Sequence, residues 1–339
     1  MLSTIIVIAI FLSLLILQVI LWAVFLRVGL RWARVADVTA RRIVLATASV
    51  VVLQFVLYIP LRLLTPSSDA QAILLGLSEL AAAVLVPCVV IMQVFKARFF
   101  RSLQAWLPTL LPSIAMIVFV LLVLRPFVCE AFVSPSNAMA PTLLGNHWQG
   151  KCPECGRSNF CSPVDAWYAP PEPPRMICAS FHVAQVRDVP QQVFRPDRFL
   201  VAKFLAPKRW DVVVFQYPEE PSTLYVMRLV GLPGETIHID SGAVWANGNK
   251  LEPPDFLRGI RYVSELLPWR NEMWGSKDRP AILGEEEYFV LGDFSHQAKD
   301  SRWWEHGAPG HSPFAVPKSH MRGVVTHIYW PPRRWRILR

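Results

Sequence analysis

Four of the six cysteines lie close together, at positions 152, 155, 161 and 178. Cys152-Pro153-Glu154-Cys155-Gly156 has the form of a zinc knuckle, a short turn that points two thiolates at one metal. Cys178 offers a third sulfur, and either Cys161 or His182 can complete a tetrahedron. Disulfides are the competing chemistry wherever the compartment is oxidising, and free thiols are a third outcome. Residue types alone leave the three open. Cys88 and Cys129 stand singly in apolar surroundings and read as small fillers.

The elements that position these cysteines follow from composition. The chain has 339 residues, 53% of them hydrophobic and 17% charged, with a mean hydropathy of +0.35. The apolar excess is concentrated in the first part of the chain, in runs at 5–25, 43–61, 73–94 and 106–124. Each approaches the ~20 residues needed to cross a hydrocarbon core of about 30 Å. The first run lacks a charged leader and a small-residue cleavage site, so it is expected to be a retained span. Residues 1–125 thus read as four transmembrane helices in a lipid bilayer, and 126–339 as a separate domain. The net charge of +9 forms no single basic stripe and flanks the apolar runs instead, so no nucleic-acid partner is expected.

Arg27, Arg31, Arg34, Arg41 and Arg42 lie between runs one and two, and Lys96, Arg98 and Arg101 between runs three and four. The loop at 65–71 has no Lys or Arg. The positive-inside rule therefore puts both basic loops in the cytoplasm, with both termini and everything after Arg125 outside. Glu79, inside the third run, is either a functional intramembrane carboxylate or a group that reaches interfacial water.

Beyond Phe132 the pattern changes to short β-type runs broken by Pro and Gly, at 199–204, 211–217, 224–231, 236–240, 243–246, 288–291 and 323–330. Ser241-Gly242 and Asn247-Gly248 are turn signals. No long amphipathic helix and no repeat interrupts them, so a mostly antiparallel β-domain is expected. The stretch at about 147–190, which holds the four clustered cysteines and a Pro-rich run at 169–174, departs from this rhythm. It reads as an insertion with its own staple.

Pro135-Ser136-Asn137-Ala138-Met139-Ala140-Pro141-Thr142-Leu143 follows the last apolar run. It is the first of four segments that resemble, in order and spacing over about 200 residues, the signature boxes of the bacterial type I signal peptidases, and the family has P-S-G-S-M-x-P-T-L there. Arg209-Trp210-Asp211-Val212-Val213-Val214-Phe215 is similar to R-G-D-V-V-V-F. Tyr225-Val226-Met227-Arg228-Leu229-Val230-Gly231-Leu232-Pro233-Gly234-Glu235 is similar to Y-V-K-R-V-V-G-L-P-G-D/E. Gly292-Asp293 through Asp300-Ser301-Arg302 is similar to G-D-N-x-x-N-S-x-D-S-R.

The resemblance implies a membrane-anchored, mostly-β signal peptidase I fold in the bacterial cytoplasmic membrane, and a serine endopeptidase chemistry that uses no cofactor. In that chemistry a Ser hydroxyl attacks the peptide carbonyl, a neutral Lys takes its proton, and a second Ser orients the Lys. Carried over box by box, the nucleophile falls on Ala138, the base on Met227 and the orienting Ser on Ala298. All three lack the required group. Ser136 matches the oxyanion-hole hydroxyl, whose partner is the backbone N–H of Ala138; it can equally be an ordinary turn residue. Some relatives carry a zinc-ribbon-like insertion with two C-x-x-C pairs, and here Phe181 stands where the fourth Cys is expected.

The expected function is therefore a catalytically inactive relative that binds extended segments of exported or membrane preproteins. A working peptidase with a relocated dyad, drawn from Ser134, Ser136, His147 and His296, is the enzymatic alternative. A structural subunit that docks on a partner is the third.

Overall fold

A computed structural model describes residues 2–63, 69–163, 175–185, 192–265 and 272–338. The Pro-rich run at 169–174 and residues 65–68 of the uncharged loop lie outside the described residues. The chain folds as two compact units, Ile5–Val123 and Leu124–Arg339, the latter also counting Met1–Thr4.

The first unit is helical. Helix α1 is Leu2–Trp32, α2 Ala40–Leu63, α3 Asp69–Phe95 and α4 Phe99–Trp106; α4 continues through a tight turn into α5, Leu110–Phe119, and a wider π-helical stretch, Val120–Val128. Four segments are long and apolar enough to cross a membrane: Leu12–Trp32, Ala40–Ile59, Asp69–Phe95 and Phe99–Val128. The first reaches further along the chain than the 5–25 run, because the helix does not stop at Arg27. Arginine is a good helix former, and its long side chain can carry the charge away from an apolar surface. Leu26, Leu30, Ile43, Ala46, Ile91 and Trp106 share a buried core. Gly29 is required there, since a Cβ would lie 2.0 Å from the Ala105 carbonyl oxygen. Many other large side chains of these helices, such as Leu15, Leu53, Leu74 and Leu122, are exposed, a surface suited to lipid rather than water. Glu79 is half-buried, and the Tyr58 hydroxyl donates to its backbone carbonyl at 3.4 Å.

The second unit is almost entirely β. Its strands are β1 Cys129–Val133, β2 Trp148–Lys151, β3 Ser158–Cys161, β4 Arg175–Cys178, β5 Val183–Gln185, β6 Arg198–Ala202, β7 Val212–Tyr217, β8 Glu220–Gly231, β9 Thr236–Asp240, β10 Ala243–Ala246, β11 Asn249–Lys250, β12 Ala281–Ile282, β13 Glu287–Leu291, β14 Val316–Pro317, β15 Met321–Trp330 and β16 Arg336–Ile337. The seven strands expected from sequence are all present, within a few residues at their ends. The main sheet runs β1-β6-β15-β7-β8-β13-β14, with β16 beside β15, and a second sheet runs β11-β10-β9-β12. The insertion is not irregular, as its pattern suggested. It is a four-stranded antiparallel sheet, β2-β3-β4-β5, whose strands of three or four residues are too short to show a period-2 pattern.

The register at β8 defines the site. Val212 and Val213 of β7 pair with Arg228 and Met227, while on the other side β13 pairs with Gly231, Leu229 and Arg228 only. Strand β13 ends at Leu291 and the chain turns away at Gly292. From Met227 back to Leu224, β8 therefore has a strand neighbour on one edge and, among the described residues, none on the other.

Candidate functional site

The open edge of β8 lines a cavity of about 430 Å³, whose other walls are Pro135–Ala138, Asn146, Ser162, Pro163, Gln297 and Lys299. A short helical turn places Ala138 at its rim. Leu143 N–H donates to the Met139 carbonyl and Ala140 N–H to the Asn137 carbonyl, both at 2.9 Å. Residues four apart lie on one face of such a turn. Met139 and Leu143 accordingly enter the main core, while Ala140 and Leu144 enter a smaller one with Phe160, Ile177 and Phe294. Anchored on two faces, the turn cannot roll.

The three substituted positions converge. Met227 is 3% exposed, and Ala138 packs against the same apolar cluster that buries it. Phe294 N–H donates to the Ala138 carbonyl at 2.9 Å. A Cβ on Gly292 would fall 2.2 Å from the Ala298 Cβ and 2.8 Å from the Ala138 oxygen, so only glycine lets the first and fourth boxes approach this closely. Ala138 and Met227 thus offer the groove a methyl group and a thioether, with the Ala298 methyl buried behind Gly292.

Conserving this geometry falls to two buried ion pairs. Arg228 donates to Asp293 at 2.7 and 2.5 Å and to the Trp210 carbonyl at 2.6 Å, and Thr142 also bonds Asp293. Both charged groups are essentially inaccessible. Asp293 favours the charged Arg228, more than offsetting burial, and holds its pKa above the usual value. Arg302 donates to Asp300 at 2.8 and 2.7 Å and to Ser295 through its hydroxyl and carbonyl; Asp300 in turn accepts from Gly292 N–H at 3.0 Å. Each charge is matched and hydrogen-bonded, the condition under which a buried pair is tolerated. These pairs tie the first, third and fourth boxes together.

Ser136 is exposed, and the Ala138 N–H donates to its Oγ at 3.4 Å. The two groups expected to form an oxyanion hole are therefore adjacent, here joined to each other in a turn. Ser134 is buried and donates to the Ser136 carbonyl at 3.2 Å. His147 is buried between Phe194 and Phe160, with its Nδ1 donating to the Gly145 carbonyl at 2.8 Å; burial lowers its pKa. His296 lines a different cavity, with Ile177, Phe181 and Asp293, and burial lowers its pKa to about 4. Neither histidine lines the groove. Lys299 does, and its ammonium lies 3.6 Å from Glu219 and 4.7 Å from the centre of the Tyr217 ring.

Two features were not legible as part of the site. Asn137, where the family has Gly, is buried; it donates to the Asn146 carbonyl at 2.7 Å and to Ser162 Oγ at 3.0 Å, and accepts from Gly145 N–H at 2.9 Å. At the C-terminal end, Arg334 pairs with buried Asp197 at 2.7 Å, and Arg334 and Arg336 donate to the carbonyls of Pro141 and Thr142. Both fix the first box through contacts distant in sequence.

The insertion gathers Cys152, Cys155, Cys178 and His182, whose ligand atoms all lie within 4.8 Å of one another. Cys155 Sγ is 3.7 Å from Cys178 Sγ, and Cys152 Sγ is 3.9 Å from His182 Nδ1. No disulfide joins any of the six cysteines. A tetrahedral ion with sulfurs about 2.3 Å away separates two of them by about 3.8 Å, so the spacing fits a metal. Of the two candidates for the fourth ligand, His182 is in the cluster. Cys161 is not; it sits buried at the far end of β3, opposite Trp148. Phe181, in place of the fourth cysteine, turns through a positive φ of 64° and packs into the small core. His182, the next residue, brings the fourth candidate ligand atom to the cluster.

A family model described as signal peptidase, peptidase S26, matches residues 175–330, a stretch that holds Met227 and Ala298 and begins beyond Ala138. This chain is 29% identical over 174 residues to a signal peptidase I of Leptolyngbya laminosa, covering 45% of this chain and 71% of that protein. It is 29% identical over 203 residues to signal peptidase I of Pseudomonas aeruginosa, covering 56% and 60% respectively, less than two thirds of that relative's length. A solved signal peptidase I of Enterococcus faecalis V583 is 25% identical and covers 36% of this chain and 98% of that one, with a TM-score of 0.25. Over its β-domain the chain is thus a homologue of signal peptidase I, with the signal peptidase model matched across residues 175–330.

Proposed function

We propose that this homologue binds extended segments of exported or membrane preproteins and does not cut them. The observation that carries the reading is the open edge of β8 beside Ala138 and Met227. An extended peptide laid there can pair with the backbone of residues 224–227, as in strand addition to a sheet edge. Leu224, Val226 and Pro135 line the same cavity with apolar surface. None of these contacts needs the absent hydroxyls or amine. Hydrolysis does: Ala138 cannot attack, and Met227 cannot accept a proton. Where nucleophile and base are deleted from hydrolases with comparable parts, about 10³–10⁴-fold over water remains, too little to detect on a peptide bond.

On this reading the β-domain lies outside the cytoplasm, where preproteins emerge, with the arginine-rich loops of the helical unit inside. The Cys152, Cys155, Cys178 and His182 cluster is a structural zinc site rather than part of the chemistry, since thiolate and imidazole ligands suit zinc and a full set of four closes the coordination sphere.

The test uses the full-length chain in detergent with a fluorescent signal-peptide segment of an exported protein. Binding without cleavage is expected, and Leu224→Arg should weaken the binding. Cleavage that survives Ser134→Ala but not Ser136→Ala would reveal a working relocated nucleophile. Absence of both binding and cleavage would leave the docking-subunit reading.

A further inference from the structure

The small sheet β2–β5 is poorly equipped to hold itself together. Its strands have three or four residues, and only Phe160 and Ile177 enter its shared core from the sheet itself, with Phe181 and Val183 at the edge. Sheets and cores of this size need a staple. The tetrad is at the right place to be one. Cys152 and Cys155 occupy the β2–β3 turn, and Cys178 and His182 the β4–β5 turn, so one ion would close both hairpins at once. Backbone N–H groups already point at the sulfurs: Ser180 N–H donates to Cys178 Sγ at 3.2 Å, and the Arg157 N–H to Cys155.

The opposite end of this sheet builds the groove. Strand β3 runs from the metal turn to Cys161, and the next two residues, Ser162 and Pro163, line the cavity. Ser162 Oγ accepts from Asn137, the residue between Ser136 and Ala138. Phe160 and Ile177 pack on Ala140 and Phe294, inside the first and fourth boxes, and on Leu144 beside the first. A continuous path of packed and hydrogen-bonded groups therefore runs from the ligand turns to the groove rim.

We propose that one zinc ion bound by Cys152, Cys155, Cys178 and His182 locks the wall of the groove formed by residues 136–146 and 162–163, so that the groove is ordered only in the metal-loaded protein. Its consequence for peptide affinity rests on the binding function proposed above, but the ordering itself does not.

The experiment is hydrogen exchange on the full-length chain in detergent, with zinc measured on the same samples. Protein supplied with zinc should hold near one equivalent. Removing it with a chelator should speed exchange in 136–146 by about tenfold or more, the effect of losing one or two hydrogen bonds, while β7 and β15 keep their rates; adding zinc back should reverse the change. Asn137→Ala touches no ligand, so it should keep its zinc and still speed exchange in 136–146. Zinc loss with unchanged exchange there, or an Asn137→Ala variant with wild-type rates, overturns the coupling. So does an intact mass showing these cysteines oxidised in protein supplied with zinc. Failure of the zinc-loaded wild type to bind peptide refutes the binding function instead, because the exchange measurement does not depend on peptide.

Discussion

Met227→Lys tests whether the slot beside Ala138 is as apolar as it looks. Met227 is 3% exposed and shares its cluster with Met139, Val213, Leu229 and Ala138. An ammonium would find no counter-charge among those side chains, so the lysine must enter neutral. Holding it neutral costs about 4.6 kcal/mol at pH 7 and about 1.9 kcal/mol at pH 9, starting from an unfolded pKa of about 10.4. The sign follows from linkage. The folded-state pKa is depressed, so between it and about 10.4 the unfolded chain binds the extra proton, and stability rises with pH. Relative to wild type at the same pH, the deficit should shrink by about 2.7 kcal/mol between pH 7 and pH 9. For a domain of this size that is a recovery of roughly 5–11 °C in the midpoint of unfolding. Thermal unfolding of the full-length protein, followed by tryptophan fluorescence at the two pH values, reads it directly. An equal deficit at pH 7 and pH 9 would mean that the lysine stays charged when folded. The slot would then be wet, and the idea that it could hold a neutral base would fail.

Three other outcomes are expected. Ala138→Ser, Met227→Lys and Ala298→Ser together should return measurable cleavage of a preprotein while each alone returns none, because groups that act as a unit are strongly non-additive. Asp293→Ala should cost about 3–5 kcal/mol by stranding Arg228, whereas Arg228→Met with Asp293→Leu should recover most of the loss in urea unfolding. A reporter active only outside the cytoplasm should give signal when fused after Arg339 and none when placed near Ala36; the reverse would place the β-domain inside.

The parts of the site that sequence could reveal were those carried by local strings. Strand β8 was legible because Tyr225 to Gly231 combines β-branched residues with a fixed motif; Asp293, Asp300 and Arg302 stood in their boxes, but their pairing appears only in the fold. Asn137 was not legible, since its meaning lies in a hydrogen bond to Ser162, which a separate strand pair brings back to it. The clamp by Arg334 and Arg336 depends on β15 returning the chain to the first box. In the insertion, the β2–β3 turn carries Pro153 and Gly156, the latter at a φ of 69°, whereas the β4–β5 turn puts Phe181 at a φ of 64°, where turn rules would look for Gly or Asn. The choice between Cys161 and His182 was decided by which end of β3 each one lies near, a matter of topology rather than spacing.

What the three substituted positions share is the removal of a cost. A lysine kept neutral for catalysis would be held in the folded domain against a penalty of about 4.6 kcal/mol at pH 7, and a thioether of similar length fills the same slot with none. Two hydroxyls at the rim of an apolar cluster would each need a partner once buried, and methyl groups at Ala138 and Ala298 need none. The residues that remain are of the opposite kind. Removing Arg228, Asp293, Asp300 or Arg302 singly would leave a charge stranded in the core, and filling Gly292 would drive the first and fourth boxes apart. If the chemistry is absent, as proposed, the groove has no further need for the destabilising groups, yet its shape depends on every stabilising one. This is the trade between activity and stability expected at an active site. On the proposed reading, a groove that keeps this shape without its reaction can still bind.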